Sequence, residues 1–223
     1  MIEKTTVVGS FQCNCKLLAC SRTGEALLID PGDEPEEILK TLAETHLPSG
    51  APLRLRYLLH THAHLDHIGG TRAVREKLIS QSPLISLHRD DEMLYQNLKM
   101  QGRLFGMECD DPLPIEHYLQ DEEDLRIGDL RISVIHTPGH SPGSVCLRLH
   151  EASGTGARET LYSGDTLFQG DIGRTDLWGG DSDQIVKSIQ TRLFTLDEDT
   201  RVCPGHGPDT AIGIEKRQNP YVR

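Results

Sequence analysis

Thr61-His62-Ala63-His64-Leu65-Asp66-His67 places three histidines and one aspartate in a single seven-residue stretch. Imidazole nitrogens and carboxylate oxygens are the donors that suit borderline divalent metals such as zinc, and the cluster contains no softer thiolate. Ala63 and Leu65 alternate with the candidate ligands, which predicts an extended loop; helical zinc proteases instead set two histidines one helical turn apart. Upstream, Leu53 to Leu59 is apolar enough for a buried strand. Downstream, Gly69-Gly70 lead into Thr71 to Ile79, whose pattern predicts a helix. The ligands are thus expected at a strand-to-helix turn, where a rigid strand end fixes their position and glycines allow close backbone approach.

Outward from this loop, short strands and helices alternate. Phe11 to Ala19 and Ala26 to Ile29 read as a hairpin turning at Ser21-Arg22-Thr23-Gly24. Asp30-Pro31-Gly32-Asp33 breaks the sheet, and Ile38, Leu39 and Leu42 predict an amphipathic helix over Glu34 to Thr45. Beyond a strand at Leu84 to Leu87, the stretch from Asp90 to Pro114, with Gly102 and Gly106, reads as a helix and then a long irregular loop. That loop is a candidate lid or substrate wall, with simple connection as the alternative. Leu125 to Leu130, Arg131 to Ile135, Ser144 to Leu149, Thr160 to Ser163 and Arg201 to Cys203 continue the strands. Asp181 or Ser182 is suited to cap a helix whose apolar face is Ile185, Val186, Ile189 and Leu193. This order suggests two packed sheets with helices outside.

The 223 residues suffice for one well-buried domain, 1–223. A formal net charge of -11 and a pI near 5.4 oppose a nucleic-acid partner or an anionic membrane. With no basic and apolar leader at Met1 to Thr5 and no membrane-length apolar run, a cytoplasmic location is expected. The six cysteines include no C-x-x-C pair, and most read as buried, reduced side chains. Cys13 and Cys15 fall on one side of a strand, which leaves a redox or metal role as the second reading. Cys203 lies three residues before His206, where packing is favoured over approach to a metal.

Three later motifs place a metal-capable side chain among glycines or prolines at an expected strand end: Thr137-Pro138-Gly139-His140-Ser141-Pro142-Gly143-Ser144, Ser163-Gly164-Asp165-Thr166-Leu167-Phe168 and Pro204-Gly205-His206-Gly207-Pro208. With the first loop, they resemble the metallo-beta-lactamase superfamily, in the family's order and over nearly the whole chain. The resemblance implies an α/β fold, a four-layer αββα sandwich with metals at the edge between two sheets. Carried over by position, His62, His64 and His140 would hold one metal, Asp66, His67 and His206 a second, and Asp165 would bridge them. Two divalent ions are implied, zinc first, with iron or manganese as alternatives. Such a set exceeds the four ligands of a closed structural zinc site and leaves room for a shared water, whose pKa falls to about 7 on coordination. Asp66 is a catalytic candidate as well, orienting that water.

Within the superfamily the chain is most similar to short, single-domain glyoxalase II-like thioester hydrolases. Gly164 to Phe168, Gly173-Arg174-Thr175-Asp176, Pro204 to Pro208 and Arg103 to Glu108 carry that resemblance. It implies a small-molecule acyl-thioester substrate such as S-lactoylglutathione, and a thiol of pKa about 8.5 leaves without a dedicated general acid. Arg174 falls where glyoxalase II has a lysine that contacts glutathione, which makes it the substrate-binding candidate; an ion pair with Asp171, Asp176 or another carboxylate is the structural alternative. Asp176 and Gly207 stand where the classical enzymes use aromatic residues to grip glutathione. The Gly173-Arg174-Thr175-Asp176 segment also resembles persulfide dioxygenases, which would use only His62, His140 and Asp165 around one iron. A metal-binding sensor without catalysis is the alternative of another class, and lactonase or beta-lactamase activity is a further one within the fold. The sequence assigns no oligomeric state.

The other histidines read as structural. His60 ends an apolar run, and His136 suits a hydrogen-bonded strand end more than a role behind a ligand. His46, His88, His117 and His150 read as surface or packing residues. Asp30 is expected to hydrogen-bond near the ligand loop or to cap a turn.

Overall fold

The computed structural model describes residues 1–150 and 159–222, and these divide into two units. The first comprises Met1–Tyr118 with Ile127–Asp129. Its sheet runs in the spatial order β1 (Ile2–Val8), β2 (Cys13–Ala19), β3 (Glu25–Ile29), β4 (Arg54–Leu59), β5 (Leu84–His88) and β6 (His117–Leu119). β1 to β3 pair antiparallel, whereas β3, β4 and β5 pair parallel. Burial explains the sequence pattern: β2 is buried at every position and β3 at all but its first, as expected of inner strands covered on both faces.

Parallel pairing requires crossovers, supplied by α1 (Pro35–Glu44) between β3 and β4, and by α2 (Leu65–Ile68) and α3 (Thr71–Lys77) between β4 and β5. Pro35 starts α1, and Ile38 and Leu42 are its buried face. The core joins Leu17, Leu28, Leu55, Leu58 and Ile85 of the sheet to Ile38, Ile68 and Val74 of the helices. The ligand loop therefore follows the carboxyl end of a parallel strand, the usual crevice side of such sheets.

Two expectations for this unit need correction. The extended loop holds only as far as His64, which keeps β geometry. There the His64 carbonyl accepts from the amides of His67 and Ile68 at 3.0 and 3.2 Å, so Asp66 and His67 lie on a single helical turn. The region after β5 contains two helices, α4 (Glu92–Gln96) and α5 (Leu98–Leu104), and Gly102 is buried inside α5. A Cβ at Gly102 would approach Cys109 Sγ at 2.6 Å and the Met107 carbonyl at 2.7 Å. Close packing thus placed a poor helix former there.

The second unit, Leu119–Arg126 with Leu130–Arg223, contains most of the second sheet. The strands are β7 (Asp124–Ile127), β8 (Leu130–His136), β9 (Val145–His150), β10 (Thr160–Gly164), the small pair β11 (Leu167–Phe168) and β12 (Asp171–Ile172), then β13 (Arg201–Pro204) and β14 (Thr210–Ala211). The sheet order is β14-β13-β10-β9-β8-β7, mixed because β10 and β13 are parallel. α6 (Ser182–Ser188) starts as expected: the Asp181 carboxylate accepts from the amides of Asp183 and Gln184. Ile185, Ile189 and Leu193 are fully buried beside Leu161, Val202 and Ile212, while Val186 is partly buried. α7 (Ile212–Gln218) closes the order. Among the described residues no helix is long and apolar enough to cross a membrane.

Candidate metal centre

In the first unit the candidate ligands converge tightly. The His62 ring lies 4.9 Å from that of His64 and 4.1 Å from that of His67, centroid to centroid. All three are buried, while the Asp66 side chain retains 19% exposure. Their orientation is set by Asp30. Its Oδ1 accepts from the Thr61 amide at 2.8 Å, and its Oδ2 lies 2.7 Å from Thr61 Oγ1 and 3.0 Å from His67 Nδ1.

A carboxylate only accepts, so His67 carries its proton on Nδ1 and the Thr61 hydroxyl donates to Asp30. Thr61 Oγ1 must then accept from His62 Nδ1, 3.1 Å away. One buried carboxylate thereby leaves the Nε2 of two histidines as lone-pair donors, the tautomer a metal ligand needs. His67 Nε2 in turn faces Asp66 Oδ2 at 3.6 Å, two electron-rich atoms of the kind that a shared cation draws together.

The loop is also held from behind. Asp91, fully buried, accepts from the Ala63 amide at 2.9 Å. The Gln101 side chain accepts from the Leu65 amide at 3.1 Å and donates to the carbonyls of Ala63 and Leu94, both at 2.9 Å. Gly32 permits the turn carrying Asp30 to approach, because a Cβ there would lie 1.6 Å from the Asp66 carbonyl oxygen.

In the second unit, His140, Asp165 and His206 come from three separate turns. His140 Nδ1 donates to the Arg174 carbonyl at 2.8 Å, which again leaves Nε2 with the lone pair. That nitrogen lies 3.7 Å from Asp165 Oδ2, and His206 Nε2 lies 3.6 Å from the same oxygen. Gly173 is the counterpart of Gly32: a Cβ there would meet the Asp165 carbonyl oxygen at 1.8 Å. The donor sets of both units fit divalent metals.

The remaining expectations resolve as follows. Asp30 bonds into the ligand loop, as expected. His60 is buried and structural, with Nδ1 on the Ser86 carbonyl at 2.9 Å and Nε2 on Thr71 Oγ1 at 2.7 Å; burial lowers its pKa. His136 ends its strand with Nε2 on the Pro142 carbonyl. All six cysteines are free, and burial pushes the thiol of Cys13, 3.7 Å from His67 Nδ1, up to about 11. Arg174 makes a two-point ion pair with Asp176 at 2.7 and 2.8 Å, and its side chain is 56% exposed.

Asp91, Gln101 and Gly32 were not evident as site residues in the sequence, since their contacts are to backbone 28 to 38 residues away for the first two and to Asp66 for the third.

Residues 8–206 match the Metallo-beta-lactamase superfamily. The chain belongs to that family. It has the α/β metallo-beta-lactamase fold, two mixed sheets flanked by helices, and is a metallo-hydrolase of this superfamily with a histidine-rich metal site. The hydroxyacylglutathione hydrolase GloC of Haemophilus influenzae is 35% identical over 96% of this chain and 95% of its own. Among solved structures, the BLEG-1 B3 metallo-beta-lactamase superposes with a TM-score of 0.85 at 37% identity, over 99% of both chains. TTHA1623, described in a di-iron-bound form, superposes at 0.79 with 36% identity, over 98% of this chain and 99% of that one.

Proposed function

We propose that the protein is a two-metal hydrolase of acyl-thioesters of the S-lactoylglutathione type. His62, His64 and His140 would hold one metal, and Asp66, His67 and His206 the other, with Asp165 shared. The observation that carries the metal part is the fixed tautomer: His62, His67 and His140 each have Nδ1 tied to an acceptor, which leaves Nε2 to bind. The substrate class rests on the full-length likeness to GloC. Zinc is the first candidate, and iron is supported by the di-iron form of TTHA1623.

Two bound divalent ions would supply an acidified water and polarise the thioester carbonyl. The chain's own part is positional. Asp30 and the Arg174 carbonyl hold the imidazoles in place, while Asp66 would accept a hydrogen bond from the attacking water and the thiolate would leave without a protein acid. Arg174 would meet a carboxylate of the thiol portion after exchanging its surface partner Asp176.

A second reading, β-lactam hydrolysis, is favoured by the BLEG-1 superposition. Protein purified without added metal should contain close to two metals per chain and cleave S-lactoylglutathione faster than a chromogenic cephalosporin. The reverse order would support the lactamase reading. One iron per chain with oxygen consumption on glutathione persulfide would establish the dioxygenase alternative, and metal-replete protein inert to every thioester would reject ours.

A further inference from the structure

We propose that a cavity of about 120 Å³ in the first unit, with Asp66 in its wall, receives the acyl group of the thioester, accepts uncharged chains and rejects anionic ones. The proposal rests on the thioesterase reading. The cavity is of the same order as the ~150 Å³ apolar cavity that admits benzene, enough for a short acyl chain. The apolar wall is Phe11, Leu65 and Met107, and Leu65 directly precedes Asp66 on the ligand turn. Phe11 meets Phe105 edge to face, ring centroids 5.4 Å apart, although both rings are more than one-third exposed. Such exposed aromatic surface beside a ligand-bearing turn is suited to cover an apolar stem.

The polar part of the lining has one sign. Asp33, Glu108 and Asp110 face the cavity along with Asp66, and no lysine, arginine or histidine lines it among the described residues. Nor does any of the described ion pairs engage Asp33, Glu108 or Asp110. A hydroxyl on the acyl chain can donate to these carboxylates, whereas a terminal carboxylate meets like charge in a partly enclosed space. Glutathione's own carboxylates must then lie outside this cavity.

The test uses N-acetylcysteamine thioesters of butyrate, 3-hydroxybutyrate and succinate, a neutral thiol with acyl chains of equal length. The corresponding thioether ketones, which cannot hydrolyse, provide a binding readout by calorimetry that needs no turnover. Butyryl and 3-hydroxybutyryl ketones should bind at least about tenfold more tightly than the succinyl ketone. A Glu108→Lys, Asp110→Asn variant should narrow that ratio by about tenfold, in binding and in kcat/KM alike. Equal binding of the three ketones, no binding of any, or an unchanged ratio in the variant would overturn the cavity assignment. Charge-selective binding with no cleavage of any thioester would instead reject the thioesterase reading and leave the cavity standing.

Discussion

In the first unit four candidate ligands lie between His62 and His67, whereas in the second three are spread from His140 to His206 on separate turns. The compact group is oriented by a side chain, Asp30, through Thr61 and His67. The dispersed group is oriented in part by a main-chain atom, the Arg174 carbonyl on His140. A carboxylate can be removed by one substitution and a carbonyl cannot. Metal affinity should therefore be tunable from the first unit and nearly immune to side-chain change at the corresponding point of the second.

The largest effects separate ligands that are shared from ligands that are not. Under the proposed assignment, Asp165→Asn should lower turnover by at least about a thousandfold and deplete both metals. Asp66→Asn should reduce turnover similarly yet retain close to one metal per chain. Elemental analysis beside S-lactoylglutathione hydrolysis reads both, and full metal content with native turnover in either variant would break the assignment.

Next come the paired glycines. Gly32→Ala and Gly173→Ala each force a Cβ to within 2 Å of a backbone oxygen, at the carbonyls of Asp66 and Asp165. Neither backbone can yield cheaply, so each variant should lose about 3 kcal/mol or more of stability by denaturant unfolding. Native stability in one but not the other would show which unit tolerates displacement of its ligand turn.

Asp30→Asn sharpens the contrast directly. The amide can no longer accept at both oxygens, and the chain from His62 through Thr61 to His67 loses its anchor. Metal affinity measured by chelator competition should fall about 10- to 100-fold. Gln101→Leu should have a smaller effect of the same sign, because Asp91 still holds the Ala63 amide.

The same contrast explains what could be read in the sequence. Contiguous ligands announce themselves: His62 to His67 after an apolar run already placed a strand, a ligand turn and a helix. The second group became readable only through resemblance, since a lone histidine or aspartate among glycines also fits an ordinary turn. The inner strand β3 was legible as the continuous apolar run Ala26 to Ile29, and β2 as a short strand even though Asn14 and Lys16 interrupt its apolar residues. The edge strand β1, with Glu3, Lys4, Thr5 and Thr6, was not, because exposed polar residues protect an unpaired edge and erase the hydrophobic signal. β6, β11, β12 and β14, of two or three residues each, are too short to show a period. α7 was missed because its buried positions, Ile212, Gly213 and Glu215, include a glycine and a carboxylate. Glu215 is tolerated inside because Thr210 Oγ1, the Gly170 amide and Asn219 Nδ2 all donate to it.

Arg174 gives the smallest effect and the finest distinction, because its backbone and side chain have separate tasks. The carbonyl orients His140, and alanine retains it. The guanidinium is exposed and pairs with Asp176, which is held down to about 2 by that partner. An exposed pair of this kind contributes little to stability. Arg174→Ala should therefore keep native metal content and a melting temperature close to that of the unaltered protein. If the guanidinium also meets a carboxylate of the thiol, KM for S-lactoylglutathione should rise several-fold, with kcat nearly unchanged and no change for the uncharged N-acetylcysteamine ester. Equal KM for both esters before and after substitution would leave Arg174 a surface ion pair alone, and would move the search for the thiol site away from the turn that orients His140.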